Sequence, residues 1–125
     1  MKTEILTNHA PQPIGPYSQG VQTGETIYIS GQLPIDAATG IMPATIKEQA
    51  ICSLNNIQHI LKEANADMNN IVKTTIFMTD LADFTIVNDV YATYFEAPFP
   101  SRSTIQVAAL PKGAQIEIEA VAVIN

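Results

Sequence analysis

Between Thr45 and Ala64 the apolar residues Ile46, Ala50, Leu54, Ile57, Ile60, Leu61 and Ala64 recur at three- and four-residue steps. Lys47, Glu48, Asn55, Gln58 and Lys62 fall on the opposite side, which predicts an amphipathic helix. Elsewhere the period shortens to two. Thr26–Gln32 (TIYISGQ) and Asn69–Thr79 (NNIVKTTIFMT) carry the β-branched and aromatic density of strands. In the second, Ile71, Lys73, Thr75 and Phe77 should share one face, and Val72, Thr74, Ile76 and Met78 the other. Asp80 and Asp83 offer N-caps for a second helix with the stripe Phe84, Val87, Val90, Tyr91, Tyr94 and Phe95, stopped by Pro98 and Pro100. Ser103–Leu110 and Gln115–Ile124 read as two further strands, with Pro111, Lys112 and Gly113 as a hairpin turn between them. The order strand, strand, helix, strand, helix, strand, strand predicts an α+β two-layer sandwich, a mixed sheet with both helices on one face. Val21, Val121 and Val123 would remain on the other face, so an oligomer is expected.

Length and charge narrow the functional classes. A chain of 125 residues, 46% apolar, has room for a single domain spanning residues 1–125. Its 12 acidic and 6 basic side chains give a net charge of −6, a field that repels nucleic acid and anionic lipid. The N-terminal MKTEILTNHAPQP contains no apolar run of the kind a secretion signal needs, and no segment approaches membrane-spanning length. With Cys52 as the sole cysteine, no disulfide can close within the chain, and a cytoplasmic location is expected.

Candidate chemistry concentrates near the C-terminus. Alternation in the last strand puts Ile116, Ile118, Ala120 and Ala122 on one face and Glu117, Glu119, Val121 and Val123 on the other. Two readings of the carboxylates stand: solvent-facing charges, or a catalytic group in a pocket. Arg102 opens the preceding strand and is suited to bind a carboxylate through two parallel hydrogen bonds, or to pair with Glu117 or Glu119 across the expected hairpin. The proline-rich Ala10–Gly20 loop presents Tyr17 and Ser18. His9 and His59 lack partners at metal-ligand spacing, Cys52 reads as a structural thiol, and Tyr91, Tyr94 and Phe95 read as core. No phosphate-binding glycine loop or hydrolase elbow occurs, so neither a metal nor a cofactor is expected.

The segments IGPYSQG (14–20), ISGQLP (29–34), IVKTTIFMTDLADFTIVNDVY (71–91) and PSRSTIQVAALPKGAQIEIEAVAV (100–123) together resemble the RidA family, also called YjgF/YER057c/UK114. The resemblance runs nearly end to end. It implies a chorismate-mutase-like fold, a homotrimer with sites in clefts between subunits, and hydrolysis of 2-imino or enamine acids, such as 2-iminopropanoate and 2-iminobutanoate, to 2-keto acids and ammonia. It further implies Arg102 as the carboxylate clamp and Glu117 as the group that positions water, with Tyr17, Ser30, Gly31, Asn88 and Thr104 lining the pocket. Thr104 stands where the family often has a cysteine, leaving its backbone N–H for the substrate carboxylate. The stretch before Pro100 is a few residues shorter than in many relatives. Alternative roles described in the family are 2-keto-acid-binding regulation and endoribonuclease or translation-inhibitor activity; the acidic charge disfavours RNA.

Overall fold

A computed structural model describes residues 1–125. Its six strands are β1 (Lys2–Ile5), β2 (Gly20–Thr23), β3 (Thr26–Gln32), β4 (Ile71–Met78), β5 (Ser101–Gln106) and β6 (Ile116–Val123). Two helices, α1 (Ile46–Glu63) and α2 (Phe84–Ala92), interrupt them. The strands form one mixed sheet in the order β1-β2-β3-β6-β4-β5, with only the β4–β5 pair parallel.

The helical period of α1 translates directly into burial. Ala50, Leu54, Ile57, Ile60 and Leu61 are sealed against Ile27, Ile116 and Ile118 of the sheet in one core. Thr45 caps the helix by accepting a hydrogen bond from the Glu48 N–H through its side chain. α2 is shorter than its stripe suggests: it ends at Ala92, before Tyr94, Phe95 and the prolines. Asp80 caps a short 3₁₀ turn, Leu81–Asp83, and Asp83 makes no side-chain cap. β4 likewise begins two residues late, after a 3₁₀ turn over Met68–Asn70. A register irregularity between Ile71 and Lys73 lets Ile71 join Thr74, Ile76 and Met78 in the interior, while Val72 is exposed.

The largest departure from the sequence pattern is the C-terminal pair. β5 and β6 do not form a hairpin, because β4 lies between them, parallel to β5 and antiparallel to β6. A nine-residue connection carries the chain from one side of β4 to the other. β1, too short to carry a periodic signal, is an unanticipated edge strand paired with β2.

Both helices cover one face. On the opposite face, Tyr28 is exposed, Val21, Val121 and Val123 are half-buried, and Lys73, Thr75 and Glu119 stand among them. No helix is long and apolar enough to cross a membrane.

Candidate active site

Arg102 lies on the edge strand, in register with Thr74 of β4, and its side chain points to the helix layer. A guanidinium Nη1–H donates to Asn88 Oδ1 of α2 at 2.8 Å. The cation lies 4.9 Å from the ring centre of Tyr91 and 5.4 Å from that of Phe84. Tyr91 is itself fixed by a 2.8 Å hydrogen bond to buried Thr74. Phe84, Asn88 and Tyr91 follow at steps of four and three, so one face of α2 builds the whole cradle. A single neutral hydrogen bond leaves the guanidinium with donors to spare. Thr104 shares this face two residues on, and its buried Oγ1 has no hydrogen-bond partner.

Glu117 occupies the other face, between Ile116 and Ile118, which point into the core. Its carboxyl group rests against Gly31, where a Cβ would come within 2.9 Å of the Glu117 Cδ. Glycine at position 31 therefore makes room for the acid. Gly31 lies where the β3–β6 register shifts, between Ile29 and Gln32. Burial, and secondarily the charge of Glu119, push the Glu117 carboxyl above the ordinary carboxylate range.

Tyr17 and Ser30 belong with Glu117. Ser30 Oγ donates to the Ser18 carbonyl at 2.6 Å, and the Ser30 N–H donates to the Gln19 carbonyl at 2.9 Å, tying the Tyr17 loop to β3. Gln19, 1% exposed, anchors that loop from below: its Nε2 donates to the carbonyls of Thr7, Ala10 and Pro11, and its Oε1 accepts from the Thr7 N–H. Exposed Tyr17 and Gly31 line a hollow of about 270 Å³.

The seven sequence-derived residues thus fall into two groups. Arg102, Asn88 and Thr104 lie on the helix face at the β5 edge; Tyr17, Ser30, Gly31 and Glu117 gather around β3 and β6, with Glu117 on the open face. Arg102 aligns with Thr74, and Glu117 with Phe77, two strands and three residues away. Sheet spacing puts their backbones roughly 14 Å apart. Within one chain Arg102 and Glu117 neither pair with each other nor converge on one small acid, because β4 separates them and their side chains leave opposite faces. That corrects the hairpin-based expectation. Sequence reading also missed the anchoring role of Gln19 and the cradle role of Phe84 and Tyr91; the 84/88/91 spacing is the signal that could have found the latter.

This small α+β layer carries an arginine cradle at one edge and a desolvated glutamate on the open face, groups suited to binding a small carboxylic acid and to moving a proton. Residues 7–124 match the family model described as Endoribonuclease L-PSP, and the chain belongs to that family, the RidA family. Among its relatives, the 2-iminobutanoate/2-iminopropanoate deaminase of mouse (Mus musculus) is 51% identical over 120 residues, covering 95% of this chain and 89% of the relative. The human (Homo sapiens) protein of the same name is 50% identical, covering 95% and 88%. The crystal structure of Escherichia coli TdcF with bound serine superposes with a TM-score of 0.95 at 44% identity, covering 98% of this chain and 99% of that one.

Proposed function

We propose that this protein hydrolyses 2-imino acids such as 2-iminopropanoate and 2-iminobutanoate to 2-keto acids and ammonia, in sites completed by a second copy of the chain. Identity of 50–51% to 2-iminobutanoate/2-iminopropanoate deaminases over 95% of the chain is the observation that carries the activity. The two-sided distribution of the site residues supports the shared site: Arg102 with Asn88 and Thr104 would come from one copy, and Glu117 with Tyr17, Ser30 and Gly31 from its neighbour. The half-apolar open face of the sheet is a suitable surface for that association, and a closed trimer is the assembly we infer. Such a trimer would have a mass of about three times 13.5 kDa in light scattering.

The chemistry needs few groups. A protonated imine is electrophilic at carbon, so orientation beside a water supplies much of the acceleration. Arg102, pre-aimed by Asn88 and by the aromatic faces beneath it, holds the substrate carboxylate with its unused N–H donors. The orphaned Thr104 hydroxyl lies on the same face of β5 as Arg102. Glu117 accepts a proton as water oxygen bonds to the imine carbon, giving a carbinolamine. The proton is returned to nitrogen, the carbon–nitrogen bond breaks, the remaining hydroxyl proton leaves, and ammonia and the 2-keto acid depart. A raised carboxyl pKa suits a group that must both take and give a proton near neutral pH.

The direct test generates 2-iminopropanoate in situ with an amino-acid oxidase and follows its disappearance. Wild-type protein should accelerate decay well above buffer, and Arg102→Ala should not. Equal decay with and without wild-type protein would overturn the assignment.

A further inference from the structure

On the open face of the sheet, strand register sets three side chains in one row. β6 pairs Glu117 with Phe77 of β4, and β4 pairs Phe77 with Ile105 of the edge strand β5. Residues in register point to the same face, so Phe77 and Ile105 stand on one flank of Glu117 and Gly31 on the other. Directly opposite residues have Cβ atoms about 5 Å apart, and one further strand adds about 5 Å. The row from Glu117 to Ile105 therefore spans roughly 10 Å, enough for a small acid with a short hydrocarbon tail.

The two flanks differ in what they offer. On the β3 side the carboxyl group leans over Gly31, where a Cβ would come within 2.9 Å of the Glu117 Cδ. That lean leaves the surface above Phe77 clear of the carboxylate. On the β4 side the surface is hydrocarbon: Phe77 is half-buried, and Ile105 is 44% exposed. A single exposed isoleucine is ordinary, but this one prolongs an aromatic surface that ends at the desolvated acid. It also differs from Ser101 and Ser103, its companions on that face of β5. The next row, Glu119, Thr75 and Ser103, is polar, so the apolar strip is one row wide where it meets Glu117. The three strands carry two cations. Arg102 faces the helix layer, and Lys73 stands four residues from Phe77, so a second carboxylate on a substrate tail would find no partner on the strip.

We propose that Phe77 and Ile105 are the specificity-determining seat for the substrate side chain, and that they favour 2-imino acids bearing an unbranched hydrocarbon tail of three or four carbons over shorter or acidic ones. This assignment rests on the deaminase reading and extends it. With the imine carbon beside Glu117, the tail runs away from the carboxyl group, over Phe77 and toward Ile105. Each methylene fully withdrawn from water strengthens binding about fourfold, and a strip that covers one side gives about twofold. A charged tail would lose hydration against hydrocarbon without compensation.

The test generates 2-iminopropanoate, 2-iminopentanoate and 2-iminohexanoate in turn with a D-amino-acid oxidase. It measures kcat/KM for each, beside calorimetric affinities for the matching 2-keto acids. Wild-type protein should gain about two- to fourfold per added methylene in both series. Ile105→Ala should flatten both, lowering the hexanoate-to-propanoate ratio at least threefold while the mass in light scattering stays that of wild type. Ser103→Ala, one row away on the same strand, should keep the wild-type ratio. The proposal is overturned if wild-type protein ignores tail length, or if Ile105→Ala keeps the wild-type ratio. It is also overturned if Ile105→Ala lowers the mass, which would make the strip a contact between copies. Failure of the deaminase reading looks different: no imine decays faster than in buffer, while 2-keto acid affinities still rise with tail length and flatten in Ile105→Ala.

Discussion

At position 31 the backbone approaches a carboxyl group so closely that any side chain must displace it. Gly31→Ala would push its methyl into the end of the Glu117 side chain, a flexible group able to swing away, rather than into backbone. The fold should therefore survive while the proposed water-holding group is misplaced. We expect a loss of about tenfold or more in kcat with a melting temperature near wild type, checked by imine-decay kinetics beside calorimetry. Arg102→Ala removes two or more charge-assisted hydrogen bonds and should lower kcat/KM by about 10²–10⁴-fold. Asn88→Ala deletes only the brace of the guanidinium and should cost about tenfold, expressed chiefly in KM. Glu117 also sets a pH dependence. Its folded-state pKa lies above the ordinary carboxylate value, so the base form accumulates only as pH rises through the shifted value, and kcat/KM should climb along an acid limb displaced upward from that of a free glutamate. The folded state holds that proton more tightly than the unfolded chain does, so ionisation opposes folding as pH rises from the ordinary to the raised value. Glu117→Gln should accordingly flatten the stability profile in that window, as urea titrations at several pH values would show.

Elements differ in how much of themselves they display in sequence. α1 declares itself because eighteen residues repeat one period and Thr45 caps it, so expectation and structure agree within a residue at each end. Thr45→Ala should remove about 1 kcal/mol of stability, lowering the melting temperature by a few degrees without changing activity per folded molecule. β6 is equally plain: strict alternation sends Ile116 and Ile118 inward and fixes which way Glu117 faces. What alternation cannot encode is the neighbour. β5 and β6 are close in sequence and antiparallel to each other, the pattern of a hairpin, yet β5 pairs with β4, and β6 lies between β4 and β3 and bonds to both. That pairing depends on the tertiary placement of α2, which carries the chain back for a parallel return beside β4. Resemblance to the family identified Arg102 and Glu117, but periodicity could not reveal that they stand on opposite faces. The cradle under Arg102 was half legible, since Phe84 and Tyr91 were read as core and their role as a seat for a cation needs the β5 edge to be in place.

At the level of the whole molecule, the separation of Arg102 from Glu117 becomes an argument about assembly. In the proposed assembly a single chain contributes two half-sites, one at an edge and one on an open face, and a closed ring of identical copies would join the edge of each to the open face of the next. This makes a prediction independent of crystallography. Arg102→Ala and Glu117→Gln homo-oligomers are each expected to be inactive, because every shared site lacks one group. Unfolding the two variants together in equal amounts and refolding the mixture would distribute them at random. A site then regains both native groups when its arginine comes from a Glu117→Gln chain and its glutamate from an Arg102→Ala chain, a chance of about one in four. Roughly a quarter of wild-type activity should return, and none should return when the variants are refolded separately and mixed without exchange. A site housed within one chain would give no recovery in either case, since no chain in the mixture carries both groups.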